Sequence, residues 1–342
     1  MKYEMEKPIV AVTMGDPAGI GPEICAACMV DAEIFRKVNP ILIGDERVLQ
    51  QALKLKNIND IKINKIQHPS DGVFKLGTID LVQADYPSPD HFEYGKMSID
   101  SSRMAYSFII KAIELGLLDE IDSITTSPIN KESFKAAGFE EEDHTAIFRK
   151  YFKDVEPVSM FHCVDLKVFH YTRHMSLKNA IDALDIDKIV HSLEEINMTL
   201  KSVGITAPRI AVAALNPHAS DNGMFGDEES KYLIPAVKEC VKRGLAVEGP
   251  IPADSVFYLQ RCGNYDCVLS LYHDQGHIAC KTYNFEKSVS LTFGFPFMRS
   301  TVDHGTAYNI AGKGIASSAN LKEAILVGAN YRMLQKRTLQ SK

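Results

Sequence analysis

The 342-residue chain has no tryptophan, and none of its apolar runs approaches the 18 or so residues that a membrane-spanning helix needs. It also lacks G-x-G-x-x-G and the G-x-x-x-x-G-K-[ST] phosphate loop, so neither common nucleotide-binding fingerprint applies. Internal repeats, low-complexity tracts and Gly/Ser linkers are absent. Neither sign of charge is in large excess: 38 Lys and Arg against 44 Asp and Glu leave −6. A balance of that kind excludes bulk attraction to nucleic acid or to an anionic membrane, but not a local basic pocket. The seven cysteines are an odd number and scattered. Cys25 and Cys28 form a lone C-x-x-C with no second pair at zinc-ribbon spacing, and EICAACMV reads as a buried helix face. The opening MKYEMEKPIVAVTMGDP is charged around a short apolar run, which reads as a strand rather than a secretory leader. The expectation is a reduced, cytoplasmic protein.

What is present is ordinary globular material, 45% apolar and 24% charged, with a length that predicts about two domains or one large α/β unit. Strand-like runs at Lys7–Met14, Pro40–Ile43, Ile121–Thr126, Asp165–Thr172, Arg209–Leu215 and Tyr265–Tyr272 alternate with helix-length segments. The helical segments include one opening near Pro22, Ser98–Leu118 with Asp100 as its cap, Asp185–Val203 and Glu228–Arg243. Such alternation predicts an α/β fold with a largely parallel sheet.

In sheets of this kind ligands gather beyond the carboxyl ends of the strands. Five such ends carry small and polar residues: Gly15–Glu23, Thr125–Lys131, Thr172–His174, Asn216–His218 and Tyr272–Gly276. His174, His218 and His273 each follow a strand, and three imidazoles leave an open position on a divalent metal, the arrangement of a catalytic site. Zinc suits nitrogen ligands best, with cobalt, manganese or magnesium suited to a looser site. Spacing alone favours three ordinary hydrogen-bonded loop histidines, because no compact ligand motif links them. His170 and His174 are four apart as in metalloprotease helices, but the segment reads as a strand and lacks the Glu base. Gly15–Glu23 is a glycine-rich turn into a helix whose free amides suit an anion. Lys281, Arg299 and His144 are candidates for phosphate and carboxylate, Arg299 following an apolar GFPFM that keeps its guanidinium dry. The charge runs Glu140–Asp143 and Lys54–Lys65 read as solvated faces. The stretch Asp303–Ala316 (DHGTAYNIAGKGIA) resembles the adenine-side loop of the isocitrate and isopropylmalate dehydrogenases, which bind NAD(P) without a Rossmann fingerprint.

Together GDPAGIGPE (15–23), TSPINK (126–131), HT (144–145), ALNPHA (214–219), PAD (252–254), YHDQG (272–276) and the PF.R..VDHGTA pattern (296–307) resemble the 4-hydroxythreonine-4-phosphate dehydrogenase family of pyridoxal-phosphate biosynthesis. The motifs span nearly the whole chain. The resemblance implies a two-domain α/β/α fold of the isocitrate/isopropylmalate dehydrogenase-like type with its active site in the interdomain cleft. One domain would comprise 1–135 plus 300–342 and help to bind NAD(P). The other, 136–299, would carry substrate, metal and dimer contacts. It places the metal on His174, His218 and His273, and the substrate on His144, Thr145, Lys281, Ser290 and Arg299. Lys281 and Asp254 become the catalytic candidates, and His304, Gly305, Thr306 and Asn309 the cofactor loop. It further implies a homodimer whose chains share the site. Two positions depart from the family: Ser290 stands where it has Asn, and His277 where an apolar residue is usual. HDQGH and AGKGIA are instead similar to the branch that oxidises D-threonate or D-erythronate 4-phosphate. A protonated His277 near C2 would repel an ammonium and favour a hydroxyl, while a His277 facing solvent would do nothing. Asn309, where isopropylmalate enzymes hold the ribose with Asp, leaves NAD and NADP both open.

The implied chemistry is metal-assisted oxidation of a C3 hydroxyl to a 3-oxo acid that decarboxylates, with Zn2+, Mg2+ or Co2+ as the cation. From 4-hydroxy-L-threonine 4-phosphate it gives 3-amino-2-oxopropyl phosphate, and from the sugar-acid phosphates dihydroxyacetone phosphate. The general base rests between Lys281, Asp254 and water on the metal. Rival readings are a non-catalytic phospho-acid binding protein and a zinc hydrolase, for which no Glu base accompanies the histidines.

Overall fold

The computed structural model describes residues 6–86, 92–141 and 143–341. Its strands, in chain order, are β1 (Ile9–Thr13), β2 (Asn39–Gly44), β3 (Lys62–Ile66), β4 (Thr78–Gln83), β5 (Ser123–Thr126), β6 (Val158–Cys163), β7 (Leu166–His170), β8 (Arg209–Ala213), β9 (Ala246–Ile251), β10 (Cys267–Ser270), β11 (Ser288–Phe293) and β12 (Met298–Val302). The chain divides into two compact units. One comprises the chain through Pro157 plus Gly294–Met333, and the other Val158–Phe293 plus the chain from Leu334.

In the first unit the strand order is β3-β4-β2-β1-β5-β12, with every pairing parallel. Val10, Ala11, Val12 and Ile41–Ile43 are fully buried, as expected where helices cover both faces of a parallel sheet. The helix Ile99–Leu117 lays Met104, Ala105, Phe108, Ile109, Ala112 and Ile113 into the same core. Its cap is Ser98, not Asp100: Ser98 has extended backbone and its hydroxyl accepts the Ser101 N–H, while Asp100 accepts the Tyr86 hydroxyl at 3.3 Å.

The second unit has the order β11-β6-β7-β10-β8-β9; β7, β10, β8 and β9 run parallel, and β11–β6 and β6–β7 are antiparallel. The helix expected over Glu228–Arg243 is split into a π-helical turn at Glu229–Leu233 and an α-helix at Ile234–Lys242. Neither charge run is wholly solvated. Glu141 is buried against Lys150, Asp143 caps the helix His144–Tyr151, and Lys56 is half-buried. Among the described residues no helix is long and apolar enough to cross a membrane.

Candidate active site

In the first unit, the parallel neighbours β1, β5 and β12 end side by side, and their carboxyl ends bring two distant motifs together. Asp16 accepts the Ala18 N–H at 2.9 Å, closing the turn after β1, and the Tyr308 hydroxyl at 2.5 Å. The Ile20 N–H donates to the Thr306 carbonyl at 3.0 Å, and a Cβ on Gly19 would stand 2.9 Å from Thr306 Cβ. Only glycine fits there. Burial raises the pKa of Asp16 against the bonds from Tyr308 and Ala18. Glu23 is also buried, and burial raises its pKa against the Lys56 charge and the amides of Gly312, Ala316 and Gly314. Lys56 Nζ donates to the carbonyls of Gly314 and Ala316 at 3.0 and 3.1 Å, which fixes the far end of the loop. Of the expected cofactor residues, Thr306 is buried against Gly19, and His304 Nδ1 donates to the Gly305 carbonyl at 3.1 Å. Gly305 has open space where a Cβ would be, and Asn309 is exposed. A ligand can approach this backbone closely.

The same unit joins His144, Thr145 and Arg299. His144 and Thr145 open the helix His144–Tyr151, and Arg299 lies in β12 beside β5. Arg299 is 4% exposed; its Nη1 donates to Thr145 Oγ1 at 3.3 Å, and its guanidinium sits 5.2 Å from the Phe148 ring centre. His144 is buried, and among the described residues its Nε2 has no hydrogen-bond partner. Burial, then the Arg299 charge, pushes its pKa down to about 3, so the imidazole is neutral at physiological pH. A buried cation, a neutral ring nitrogen and a helix N-terminus converge as an anion site would require.

In the second unit, β7, β10 and β8 are parallel neighbours, and His174, His273 and His218 follow their carboxyl ends. Gln275 ties two of those ends together, accepting the Leu271 N–H at 2.7 Å and donating to the Ala214 carbonyl at 2.8 Å. The rings of His174 and His273 are 5.7 Å apart, but the ring nitrogens of all three histidines do not lie within 4.8 Å of one another. The donor set nevertheless suits a metal. Nδ1 of His218 is 3.2 Å from Asp221 and Nδ1 of His273 is 2.6 Å from Asp274. A proton held there by a carboxylate leaves each Nε2 lone pair as the ligand, as is usual for metal-binding histidines. Arg173, His174, Met175, Tyr272 and His273 line a cavity of about 300 Å³. Arg173, which the sequence presents only as part of the strand end Thr172–His174 and with no role of its own, donates to Ser159 Oγ at 2.8 Å. Its signal was its place next to His174.

His273, His277 and Lys281 recur every four residues on the helix His273–Tyr283 and share a face. Lys281 Nζ lies 5.4 Å from the Phe285 ring centre. Asp254, exposed, is the second residue of the helix Ala253–Arg261. Ser290 pairs with Phe161 across β11 and β6 and so shares its sheet face. His277 corrects both sequence expectations. It is 7% exposed, stacked 3.8 Å from the His273 ring centre and set edge-on 3.9 Å from that of Phe161, and Nδ1 donates to the His273 carbonyl at 2.9 Å. Burial pushes its pKa down to about 4, so it is neither an ammonium-repelling cation nor a solvent-facing bystander. A Cβ on Gly276 would overlap His170 Nε2, which accounts for glycine in HDQGH.

Fold and motifs define a mixed α/β enzyme with ligand loops at parallel strand ends. The family model for "Pyridoxal phosphate biosynthetic protein PdxA" matches residues 36–328, and the chain belongs to that family. A relative from Clostridium botulinum (strain Hall), provisionally named D-threonate 4-phosphate dehydrogenase, is 44% identical over 95% of this chain and 97% of its own. One of the same name from Symbiobacterium thermophilum is 42% identical over 97% of this chain and 99% of its own. The crystal structure of a 4-hydroxythreonine-4-phosphate dehydrogenase from Klebsiella pneumoniae superposes with a TM-score of 0.87 at 34% identity, covering 95% of this chain and 100% of that one. The counterpart from Burkholderia phymatum gives 0.82 at 36%, covering 95% and 98%. The chain is therefore an oxidoreductase of the dehydrogenase type, which implies a nicotinamide cofactor.

Proposed function

We propose that this protein oxidises the C3 hydroxyl of a four-carbon 4-phosphorylated hydroxy acid with NAD or NADP, giving a 3-oxo acid that loses carbon dioxide. D-threonate 4-phosphate, with D-erythronate 4-phosphate beside it, is the favoured substrate, and dihydroxyacetone phosphate the product. The observation that carries this choice is the 44% identity to a relative of that name over 95% of the chain. 4-Hydroxy-L-threonine 4-phosphate, giving 3-amino-2-oxopropyl phosphate, is the second reading, favoured by the solved structures at 34–36% identity.

Arg299, with its planar fork, takes the phosphate together with Thr145 and the N-terminus of the helix His144–Tyr151. Neutral His144 adds a hydrogen bond without charge. Support comes from the buried guanidinium and the open Nε2 beside it. His174, His218 and His273 would hold one divalent cation (Zn2+, Mg2+ or Co2+), supported by the carboxylates at Nδ1 of His218 and His273. Such an ion, when bound, supplies Lewis acidity that eases loss of the hydroxyl proton. Lys281 and Asp254 are the residues proposed to move that proton, and Lys281 and Ser290 to steady the acid. The loop His304–Asn309 takes the dinucleotide, and Asn309, carrying no charge, tolerates either NAD or NADP. Two chains form a homodimer and complete each other's site, and the protein works in the cytoplasm, where its free cysteines stay reduced.

The test is NAD(P)H formation followed by absorbance, with metal, on the three 4-phosphates. Highest kcat/KM on D-threonate or D-erythronate 4-phosphate is expected. Preference for the amino acid would overturn the substrate choice, and no turnover of any would overturn the enzymatic reading of this site.

A further inference from the structure

The backbone after β8 is unusual. His218, Ala219, Ser220, Asp221 and Asn222 have φ of 52°, 54°, 73°, 42° and 59°. Left-handed backbone presses Cβ towards the following carbonyl oxygen, so five such non-glycine residues in succession do not persist unless their surroundings hold them. The holding bonds are identifiable. Ser220 Oγ donates to the Gly226 carbonyl, and the Gly223 and Phe225 N–H groups donate to the Ser220 carbonyl at 2.9 and 3.3 Å. These staple the arc to itself. What anchors it to the sheet is Glu229, 2% exposed, which opens the π-helical turn Glu229–Leu233. Glu229 Oε1 accepts the backbone N–H groups of Leu215 and Asn216 at 2.9 and 2.7 Å, and Oε2 accepts Asn216 Nδ2 at 2.8 Å. The same Nδ2 donates to Glu228 Oε2 at 2.7 Å. Gly226 lies over this pair: a Cβ there would stand 2.5 Å from Glu228 Oε2 and 2.7 Å from Asn216 Nδ2. Single-turn π-helical bulges occur often at functional sites, and this one sets a carboxylate under the two residues that precede Pro217 and His218.

We propose that Glu229 is the positioning residue that presents His218 to the cation, a step that rests on the reading of His218 as a ligand given above. The demand is for a carboxylate. Three donors converge on Glu229, and only an acceptor-only group meets all three. Glutamine keeps the shape but turns an amide N–H2 towards a donor, so one of the three bonds is lost and Asn216 moves. His218 is two residues further along a strained arc, and a ligand displaced by a fraction of an ångström binds metal poorly. Glu229 acts through Asn216 and the backbone before His218.

The test uses the full chain stripped with chelator and titrated with Zn2+ by calorimetry, and with Co2+ by visible absorption. Variants are His218→Ala, Glu229→Gln and Gly226→Ala, each with a melting midpoint from circular dichroism. The expected result is Zn2+ affinity about 10- to 100-fold weaker in Glu229→Gln, the scale for losing a group that orients a metal ligand, and weaker still in His218→Ala, which loses the ligand itself. The Co2+ spectrum of Glu229→Gln should move towards that of His218→Ala. Gly226→Ala should weaken Zn2+ severalfold by pushing Asn216 off the two carboxylates, and it carries the test if Glu229→Gln does not fold. Zn2+ affinity within twofold of wild type in a folded Glu229→Gln, with only the midpoint lowered, makes Glu229 merely structural and overturns the proposal. Unchanged affinity in His218→Ala instead removes the cation reading, and the proposal with it.

Discussion

Lowering the pH from 7 to 5 should destabilise this protein far more than its modest net charge would lead one to expect. His144 and His277 are 9% and 7% exposed, and burial pushes their pKa values to about 3 and about 4. Burial pushes His170 well below the ordinary value as well. A basic group whose folded pKa is depressed stays neutral in the native state, while the unfolded chain takes up a proton near pH 6.5. Stability is therefore unaffected above that pH and falls as pH drops from 6.5 towards the folded value. Between pH 7 and 5 each such imidazole costs roughly 2 kcal/mol, so His144 and His277 together cost roughly 4 kcal/mol. That is a large part of the roughly 5–15 kcal/mol of a typical domain. Asp16 and Glu23, whose pKa values are raised by burial, act with the opposite sign: their cost appears as pH rises through the folded value and is relieved by acid. With no tryptophan in the chain, the assay is urea unfolding followed by far-ultraviolet circular dichroism at pH 7, 6 and 5, in chelator so that metal binding does not contribute. His277→Leu should remove roughly 2 kcal/mol of the pH dependence. Equal urea midpoints at pH 7 and 5, or a pH dependence unchanged in His277→Leu, would refute the burial argument.

Arg299→Lys keeps the charge and loses the planar fork, so KM for the phosphorylated substrate should rise and kcat/KM fall about 10- to 100-fold, a charge-assisted contact of roughly 1.5–3 kcal/mol; a change under about twofold would put Arg299 outside the site. Replacing any one of His174, His218 and His273 by Ala should remove most bound metal and activity while the fold survives; full metal by elemental analysis in two of the three variants would reject the shared ion. Gly312 has φ of 76°, and a Cβ there would stand 2.6 Å from Tyr94 Cβ. Gly312→Ala should therefore cost roughly 1–3 kcal/mol in stability and raise KM for NAD(P). An unchanged melting midpoint and KM would show that the loop adapts freely.

Local chemistry was legible along the chain because it depends on neighbours in sequence. The lone C-x-x-C is a buried helix face, with Cys25 and Cys28 at 0% and 1% exposed, and the apolar runs of β1, β2 and β8 are strands. The polar strand β12 was not legible: Arg299, Ser300 and Thr301 lack the pattern of a core strand. Its partners make it one, Ser300 Oγ pairing with Thr125 Oγ1 at 2.9 Å and Thr301 Oγ1 with the Thr126 carbonyl at 3.1 Å. The Asp100 cap failed for a similar reason, since Ser98 and Asp100 are both good capping residues and the turn backbone chose between them.

The motifs were visible from the sequence, but not their joining. Asp16 and Tyr308 are 292 positions apart and share a hydrogen bond, and Lys56 reaches across 258 positions to hold Gly314. His277 marks the limit most clearly. Its identity was plain, yet whether it carries a proton depends on the His273 and Phe161 rings against which it is buried, one of them more than a hundred positions away. Sequence alone determined which groups are available and in what order the strands deliver them. Only the tertiary structure decided which are dry, which are neutral and which meet, because desolvation and hydrogen bonding are set by atoms in space rather than along the chain.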